Sequence, residues 1–139
     1  MDCVEVRIVN RLEDISRVAD MVERFGAEHS IPGPVVNDLN VALDEVLNNI
    51  VSYAYRPTEQ GEIVVRLDYR TSEVQIEIED AGPPFDPLQA PGPDLDKPLH
   101  ERPIGGLGIH FIKSLMDEVA YIRLDGKNRL RLTKRLPAA

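Results

Sequence analysis

The chain has 139 residues, of which 42% are hydrophobic, and a formal net charge of -8 at pH 7. This length and hydrophobic content predict one domain with a single core, and the acidic balance disfavours direct binding of nucleic acid. The sequence contains no apolar run of the roughly 18 residues needed to cross a bilayer, and its start lacks the pattern of a signal peptide. We therefore expect a single domain over residues 1–139, without a membrane segment. We also expect a cytoplasmic location, which fits a chain whose one cysteine cannot form an intrachain disulfide.

The first part of the chain predicts one strand followed by two helices. Apolar and polar residues alternate over residues 4–8, which is typical of a strand with one face in water. Apolar residues then recur at helical spacing over residues 15–25, and the stretch at 31–34, which contains proline and glycine, ends that helix. The same spacing predicts a long second helix over about 35–55.

A hairpin and a long irregular segment follow. Residues 63–69 and 74–79 each alternate apolar with polar side chains, and the short link at 70–72 predicts that these two strands form a hairpin. Residues 83–105 contain seven prolines and no periodic pattern. A structureless segment of this length is uncommon in a small domain and is usually functional or mobile, so we expect residues 87–104 to be the most mobile part of the free chain.

The end of the chain predicts one helix and two strands. Apolar residues at helical spacing indicate a helix over about 107–116. Two alternating segments, joined by a tight-turn sequence at 125–128, predict the last two strands. The apolar faces of these strands are expected to carry Ala120, Ile122 and Leu124 in the first and Leu130 and Leu132 in the second.

The five predicted strands share a pattern that indicates the class of fold. Each strand is apolar on one face and polar on the other, which argues against a parallel sheet buried on both sides. We therefore expect an α+β two-layer sandwich, in which a mostly antiparallel five-stranded sheet carries three helices on one face.

Glu45 and Asn49 form the first candidate site. On a helical wheel they lie together at one edge of the apolar stripe of the second helix, with the small side chain of Ala42 beside them. An amide oxygen suits Mg²⁺, which keeps several waters and binds phosphate oxygens, and a carboxylate one turn earlier can accept a proton from a hydroxyl or water. The alternative is an ordinary polar edge of a helix.

Asp80 and a cluster of glycines form the second candidate site. Asp80 follows an alternating strand, where its carboxylate can accept a hydrogen bond from an exocyclic amine, and Gly82 has no Cβ to keep a flat ligand away. Gly105, Gly106 and Gly108 lie where a helix begins, and the exposed N–H groups of a helix start bind phosphate. Taken separately, these features fit a simple turn and the end of a loop. Together with the pair on the second helix, they indicate a site for a nucleotide and its metal.

Three ordered motifs in this chain resemble those of the GHKL ATPase/kinase superfamily. The helix sequence over 39–55 resembles its N-box, residues 80–87 resemble its G1 box, and residues 105–112 resemble its G2 box. The Phe-Asp-Pro at 85–87 and the length are most similar to the short stand-alone anti-sigma-factor serine/threonine kinases of bacterial partner-switching systems. The resemblance covers nearly the whole chain.

This resemblance implies the Bergerat ATP-binding fold and a role for each motif residue. Asn49 would ligate Mg²⁺, Glu45 would act as general base, and Asp80 would contact the adenine, with Gly82 beside the base. The glycines of the last motif would contact the phosphates. The implied cofactors are ATP and Mg²⁺, and the implied cofactor-binding residues are Asn49, Asp80, Gly82, Gly105, Gly106, Leu107 and Gly108.

The resemblance also implies partners and a cover for the site. Residues 83–105 would form an ATP lid. The substrate would be a serine or threonine of a small anti-anti-sigma protein, and a sigma factor would be the alternative partner. Kinases of this kind are commonly homodimers.

The chain departs from the family pattern at three positions. Tyr53 stands where many relatives carry histidine, and Pro84 stands where the wider superfamily often has a second glycine. The turn at 126–128 contains Gly-Lys-Asn, without the threonine that often follows the glycine. These differences affect the details of the adenine site more than the roles of Glu45 and Asn49.

Three other functions fit part of the pattern. A binding module would hold nucleotide and sequester its partner without phosphorylating it, although the presence of both Glu45 and Asn49 speaks against this. A detached catalytic domain of a histidine kinase would need a phospho-accepting helical hairpin on another chain, since this one has no room for it. A gyrase-like or chaperone ATPase is disfavoured because no transducer domain is expected to follow.

Overall fold

The computed structural model describes residues 3–51, 61–84 and 106–137, with the side chains of the last helix described from His110 onward. The predicted end of the second helix near Tyr55 and most of the predicted irregular segment therefore lie outside the described residues. The elements follow the predicted order and are β1 (Cys3–Val9), α1 (Leu12–Glu28), α2 (Gly33–Asn49), β2 (Glu62–Arg70), β3 (Glu73–Asp80), α3 (Gly106–Leu115), β4 (Glu118–Leu124) and β5 (Lys127–Arg135).

The strands form one five-stranded antiparallel sheet in the order β1-β2-β3-β5-β4. Alternate residues of each strand face the helices, which confirms the predicted two-layer α+β sandwich. Among the described helices, none combines the length and hydropathy that a bilayer crossing requires. The core between sheet and helices is apolar, and its most completely buried large side chains include Ile8, Phe25, Leu39, Leu43, Leu47, Ile63, Leu67, Ile76, Ile78, Ile112 and Leu132.

The second helix begins earlier than its apolar pattern predicts. It starts at Gly33, so Gly33 and Pro34, which belong to the stretch at 31–34 expected to end the first helix, lie inside its first turn. Proline is tolerated there because the first N–H groups of a helix need no intrahelical acceptor. The N–H groups of Val35 and Val36 donate to the carbonyl oxygen of Pro32 at 3.0 and 3.1 Å, which closes the first turn.

The apolar face predicted for the first of the two last strands was wrong. Ile122 and Leu124 are 53% and 44% exposed, whereas Val119 and Tyr121 pack against the core. Pairing with β5 explains the reversal, because Val119 lies opposite the buried Leu132 and so must face the same way. Apolar residues occupy both faces of this edge strand, and the alternation alone therefore gave no basis for choosing between them.

Gly26 allows the first two helices to approach closely. It is buried in α1, and a Cβ built on it would lie 2.5 Å from Cγ2 of Val36 on α2. A contact that short cannot exist in a folded chain without a shift, and Val36 is a short, β-branched side chain with little freedom to move away. By contrast, a Cβ built on Gly33, the first residue of α2, would have no atom within 4 Å.

We predict that Gly26→Ala lowers the free energy of unfolding by roughly 1–2 kcal/mol, because overpacking outweighs the gain in helix propensity of about 1 kcal/mol. Gly33→Ala is the matched control, and we expect it to be neutral or to stabilise by up to about 1 kcal/mol. Urea denaturation of the three proteins measures both effects. Equal stability of the two variants would contradict the close approach of the helices.

The outer face of the sheet carries a network of charges. Arg66 on β2 donates to Glu5 at 2.9 Å and to Glu77 and Glu79 at 3.1 Å each. Glu79 is only 5% exposed in its side chain and also pairs with Lys127 at 3.2 Å. Burial alone raises the pKa of Glu79, but the hydrogen bonds from Arg66 and Lys127 outweigh burial, so this pKa lies below its ordinary value.

A depressed pKa links Glu79 to acid stability. Its stabilising contribution is complete above the unfolded-chain pKa of about 4.3 and disappears as the pH falls through the lower folded-state pKa. We predict that Glu79→Gln lowers the free energy of unfolding by about 1–3 kcal/mol at pH 7 and loses less further stability than wild type between pH 5 and pH 3.

Denaturant unfolding at several pH values tests this prediction. Glu118→Gln is the control, because Glu118 pairs with Arg135 at 3.6 Å while both side chains are more than 60% exposed. We expect almost no effect from it, since exposed pairs contribute little. An acid sensitivity of Glu79→Gln equal to that of wild type would contradict the role of the network.

Candidate functional site

Glu45 and Asn49 lie one turn apart on α2, as the apolar pattern predicted. Both side chains are half-buried, while Ala42 beside them is completely buried in the core. No hydrogen bond or ion pair between described residues engages either side chain. The helix therefore presents a carboxylate and an amide at the edge of the core with their polar atoms available to a ligand.

Lys134 anchors both α2 and α3 at one end of the sheet. Its ammonium group donates to the carbonyl oxygen of Leu115, the last residue of α3, at 2.7 Å and pairs with Asp38 on α2 at 3.5 Å. Lys134 lies opposite Val74, at the end of β3 that is far from Asp80. The candidate residues of both helices lie beyond this anchor, since Asn49 is about 16 Å along the helix axis from Asp38.

Asp80 ends β3 on the helix-facing side of the sheet. It is 6% exposed, and its Oδ1 accepts hydrogen bonds from the N–H of Gly82 at 2.9 Å and from Nδ2 of Asn128 at 3.0 Å. Between described residues, Oδ2 receives no hydrogen bond. The carboxylate is therefore held by one oxygen while the other remains available, and a buried acceptor of this kind favours a ligand that donates.

Side chains of β4 and β5 hold the turn after Asp80. Nη1 of Arg123 donates to the carbonyl oxygen of Gly82 at 2.7 Å, and Nδ2 of Asn128 donates to the carbonyl oxygen of Pro83 at 2.9 Å. The hydroxyl of Tyr121 donates to Oδ1 of Asn128 at 2.5 Å. Asp80 and Gly82 thus lie together in a turn whose backbone carbonyls accept hydrogen bonds from side chains of β4 and β5.

The sequence reasoning missed Tyr121, Arg123 and Asn128 as residues of this site. One signal was present, because Asn128 continues the inward alternation of Leu130 and Leu132 and places a polar group where the core requires an apolar one. Asn128 is also the direct register partner of Asp80. Tyr121 and Arg123 gave no such signal, because the face on which they lie was assigned to solvent.

The predicted phosphate-binding glycines fall at the start of α3. Gly106 is its first residue, and Leu107 and Gly108 lie in its first turn, so their N–H groups belong to the unsatisfied end of the helix. Gly105 lies outside the described residues. Anions are favoured at such an end because the helix dipole adds to the available donors.

The protein side chains suit a metal ion that is shared with a ligand. Among the described residues, no group of three or more histidine, cysteine or acidic side chains could hold a metal ion. Asn49 offers one amide oxygen, and Mg²⁺ commonly takes one or two protein oxygens and completes its shell with phosphate oxygens and water. The residues present therefore fit a Mg²⁺–nucleotide complex.

Comparison with known proteins agrees with this geometry. A family model described as the histidine kinase-like ATPase domain matches residues 8–134. The serine/threonine-protein kinase BtrW of Bordetella bronchiseptica is 39% identical over 95 residues, which are 68% of this chain and 67% of BtrW. The serine-protein kinase RsbW of Bacillus thuringiensis is 32% identical over 95 residues, which are 66% of this chain and 59% of RsbW.

A solved structure supports the fold. The RsbU and RsbW domains of Rv1364c from Mycobacterium tuberculosis superpose with a TM-score of 0.72 at 17% identity, covering 98% of this chain and 33% of that one. The chain thus spans about two thirds of the length of BtrW and less of the length of RsbW. The matched domain and the fold establish that the chain belongs to the histidine kinase-like ATPase domain family.

Proposed function

We propose that this chain is an ATP- and Mg²⁺-dependent protein serine/threonine kinase that acts as an anti-sigma regulator by phosphorylating a small anti-anti-sigma protein. The observation that carries the proposal is the half-buried pair Glu45 and Asn49 inside a domain of the histidine kinase-like ATPase family. The two residues lie one turn apart, and no described residue bonds to either side chain. Relatives named as serine-protein kinases support the choice of reaction.

The nucleotide base is assigned to the turn after β3. Oδ2 of Asp80, to which no described residue donates, is an acceptor suited to the exocyclic amine of adenine, and guanine would present a carbonyl oxygen to the same atom. Gly82 adjoins this carboxylate and carries no side chain that would hold a flat base away. The N-terminal turn of α3 is assigned to the phosphates.

Asn49 is assigned to the metal and Glu45 to the proton. A Mg²⁺ ion held by Asn49 and the phosphates would neutralise charge on the transferred phosphoryl group. Glu45, one turn earlier, accepts the proton of the serine or threonine hydroxyl as the hydroxyl oxygen bonds to the γ-phosphorus. The bond from the γ-phosphorus to the β,γ-bridging oxygen breaks, and ADP leaves. The half-buried position of Glu45 at the edge of the core supports this role, because part of the side chain is shielded from water.

The proposal includes an ATP lid and a single domain, and both stay predictions. The lid at about 83–105 lies mostly outside the described residues, and the domain is assigned to residues 1–139. The proposal also includes a homodimer, a sigma factor as a second partner and a cytoplasmic location. The sequestering module and the detached histidine-kinase domain are its rivals.

We predict that ATP binding depends on Mg²⁺ through Asn49. Titration calorimetry should show tighter ATP binding with Mg²⁺ than with a chelator, and Asn49→Ala should remove most of that difference. Mg²⁺ without nucleotide should give negligible heat, because one amide is the only proposed protein ligand.

Asn48→Ala is the matched control for Asn49. Asn48 is the neighbouring asparagine, and its Nδ2 donates to the carbonyl oxygen of Asp44 within the helix at 2.7 Å. We expect this variant to keep the full Mg²⁺ dependence. If titration of wild type with ATP gives negligible heat both with and without Mg²⁺, the proposed site is wrong.

We predict that Glu45→Gln keeps ATP affinity within a few-fold but slows phosphotransfer by roughly 10²–10⁴-fold, the usual scale for loss of a general base. Glutamine keeps the shape of the side chain but cannot take the proton. Asp44→Asn is the matched control, since Asp44 is the exposed neighbour and should leave the rate unchanged. A wild-type rate in Glu45→Gln would show that Glu45 is not the base.

The phosphotransfer assay first needs the partner. A pull-down from native cell extract with ADP and with ATP is expected to recover a small single-domain protein in ADP and a sigma factor in ATP. Labelled γ-phosphate should then move to the small protein as an acid-stable phosphoserine or phosphothreonine. Acid-labile phosphohistidine would favour the histidine-kinase rival, and partner release without any transfer would favour the sequestering module.

A further inference from the structure

Asn128 is a buried polar side chain to which the proposed reaction assigns no role. It is 6% exposed and lies directly opposite Asp80 in the pairing of β3 with β5. Its Nδ2 donates to Oδ1 of Asp80 at 3.0 Å and to the carbonyl oxygen of Pro83 at 2.9 Å, with that of Gly82 at 3.5 Å. One amide nitrogen therefore contacts the carboxylate and both carbonyls of the turn that follows it.

Hydrogen bonds at both ends hold this amide. Oδ1 of Asn128 accepts the hydroxyl hydrogen of Tyr121 at 2.5 Å, so the oxygen faces β4 and the nitrogen faces Asp80. The reverse orientation would place the amide oxygen against a carboxylate and two carbonyl oxygens, and all of them are acceptors. The three acceptors thus set which end of Asn128 meets Asp80, and the Tyr121 hydroxyl holds the opposite end of the amide.

The donor from Asn128 also determines how Asp80 can meet a ligand. Two N–H groups, from Gly82 and Asn128, converge on Oδ1 and hold that oxygen inside the protein. Because the carboxylate is planar, fixing Oδ1 restricts rotation about the side chain and so restricts the place of Oδ2. Without Asn128, Asp80 would retain the single donor from Gly82 and could turn either oxygen towards the ligand.

We propose that Asn128, held in place by Tyr121, is the positioning residue that sets base selectivity, because it fixes Asp80 with one oxygen aimed at the 6-amino group of a purine. The proposal rests on the proposed binding of adenine nucleotides. It places specificity in a relay from β4 through β5 to β3, and it makes Asn128 act through Asp80 without touching the base itself.

A merely structural role for Asn128 has a different consequence. If Asn128 only stiffened the turn, its loss would weaken all purine nucleotides alike. If Asn128 orients Asp80, its loss weakens the binding of nucleotides whose base carries a 6-amino group and leaves the binding of other purine nucleotides unchanged. Purine riboside triphosphate is ATP without that amino group, so the ratio of the two dissociation constants separates these roles.

The test is a titration of each protein with ATP and with purine riboside triphosphate in Mg²⁺. For wild type we expect ATP to bind more tightly by roughly 10-fold or more, the scale of a hydrogen bond to a charged acceptor. For Asn128→Ala we expect this preference to fall to within about 3-fold. Tyr121→Phe keeps the ring and the amide but removes the hydrogen bond that holds the amide oxygen in place, and we expect it to reduce the preference several-fold.

Thr133→Val is the matched control for loss of a buried polar group on the same strand. Thr133 is 3% exposed and lies on the opposite face of β5, away from Asp80. We expect it to keep the wild-type preference. Circular dichroism confirms that each variant is folded, and Tyr121→Phe carries the test alone if Asn128→Ala fails to fold.

The outcomes separate this inference from the proposed function. If wild type binds neither nucleotide, the proposed function is wrong. If wild type prefers ATP and that preference survives in Tyr121→Phe and in folded Asn128→Ala, the positioning role is wrong while adenine binding stands. Loss of the preference in these variants, with Thr133→Val unchanged, supports the relay.

Discussion

The pairing of Asp80 with Asn128 is the constraint on which the candidate site depends. A carboxylate on the apolar, helix-facing side of a sheet is costly unless its oxygens are hydrogen-bonded. The register of β3 with β5 places a buried amide opposite it, and the turn after Asp80 supplies a second donor from Gly82. Both donors meet one oxygen, so the site combines a stable buried acid with an acceptor that is open to a ligand.

The outer face of the sheet carries a network of charges, whereas the inner face carries both the apolar core and the candidate site. On the outer face, Arg66 bonds to three glutamates, and Lys127 and Arg131 supply the further positive charges that offset this acidic cluster. On the inner face, apolar side chains pack against the helices, and Lys134 bonds to α2 and to the last residue of α3. The polar residues of the inner face that are proposed to bind a ligand lie away from this anchor, at the Asp80 end of β3.

Much of the fold was predictable because its elements have a single clear period. The helix containing Glu45 and Asn49 has one apolar stripe, so the half-buried edge on which both residues lie could be located without a structure. The face of β4 could not, because Tyr121 and Ile122 are both large and apolar and only pairing with β5 decides between them. Asn128 was missed for a related reason, since a residue in a tight-turn sequence gives no indication of its cross-strand partner.

A crystal structure with Mg²⁺ and a non-hydrolysable ATP analogue tests the central claim most directly. We expect Oδ2 of Asp80 to accept the 6-amino group of adenine while Oδ1 keeps its bonds to Gly82 and Asn128, and we expect the amide oxygen of Asn49 to ligate the metal. A base bound away from Asp80, or a metal held without Asn49, would contradict the assignment of this surface as the nucleotide site.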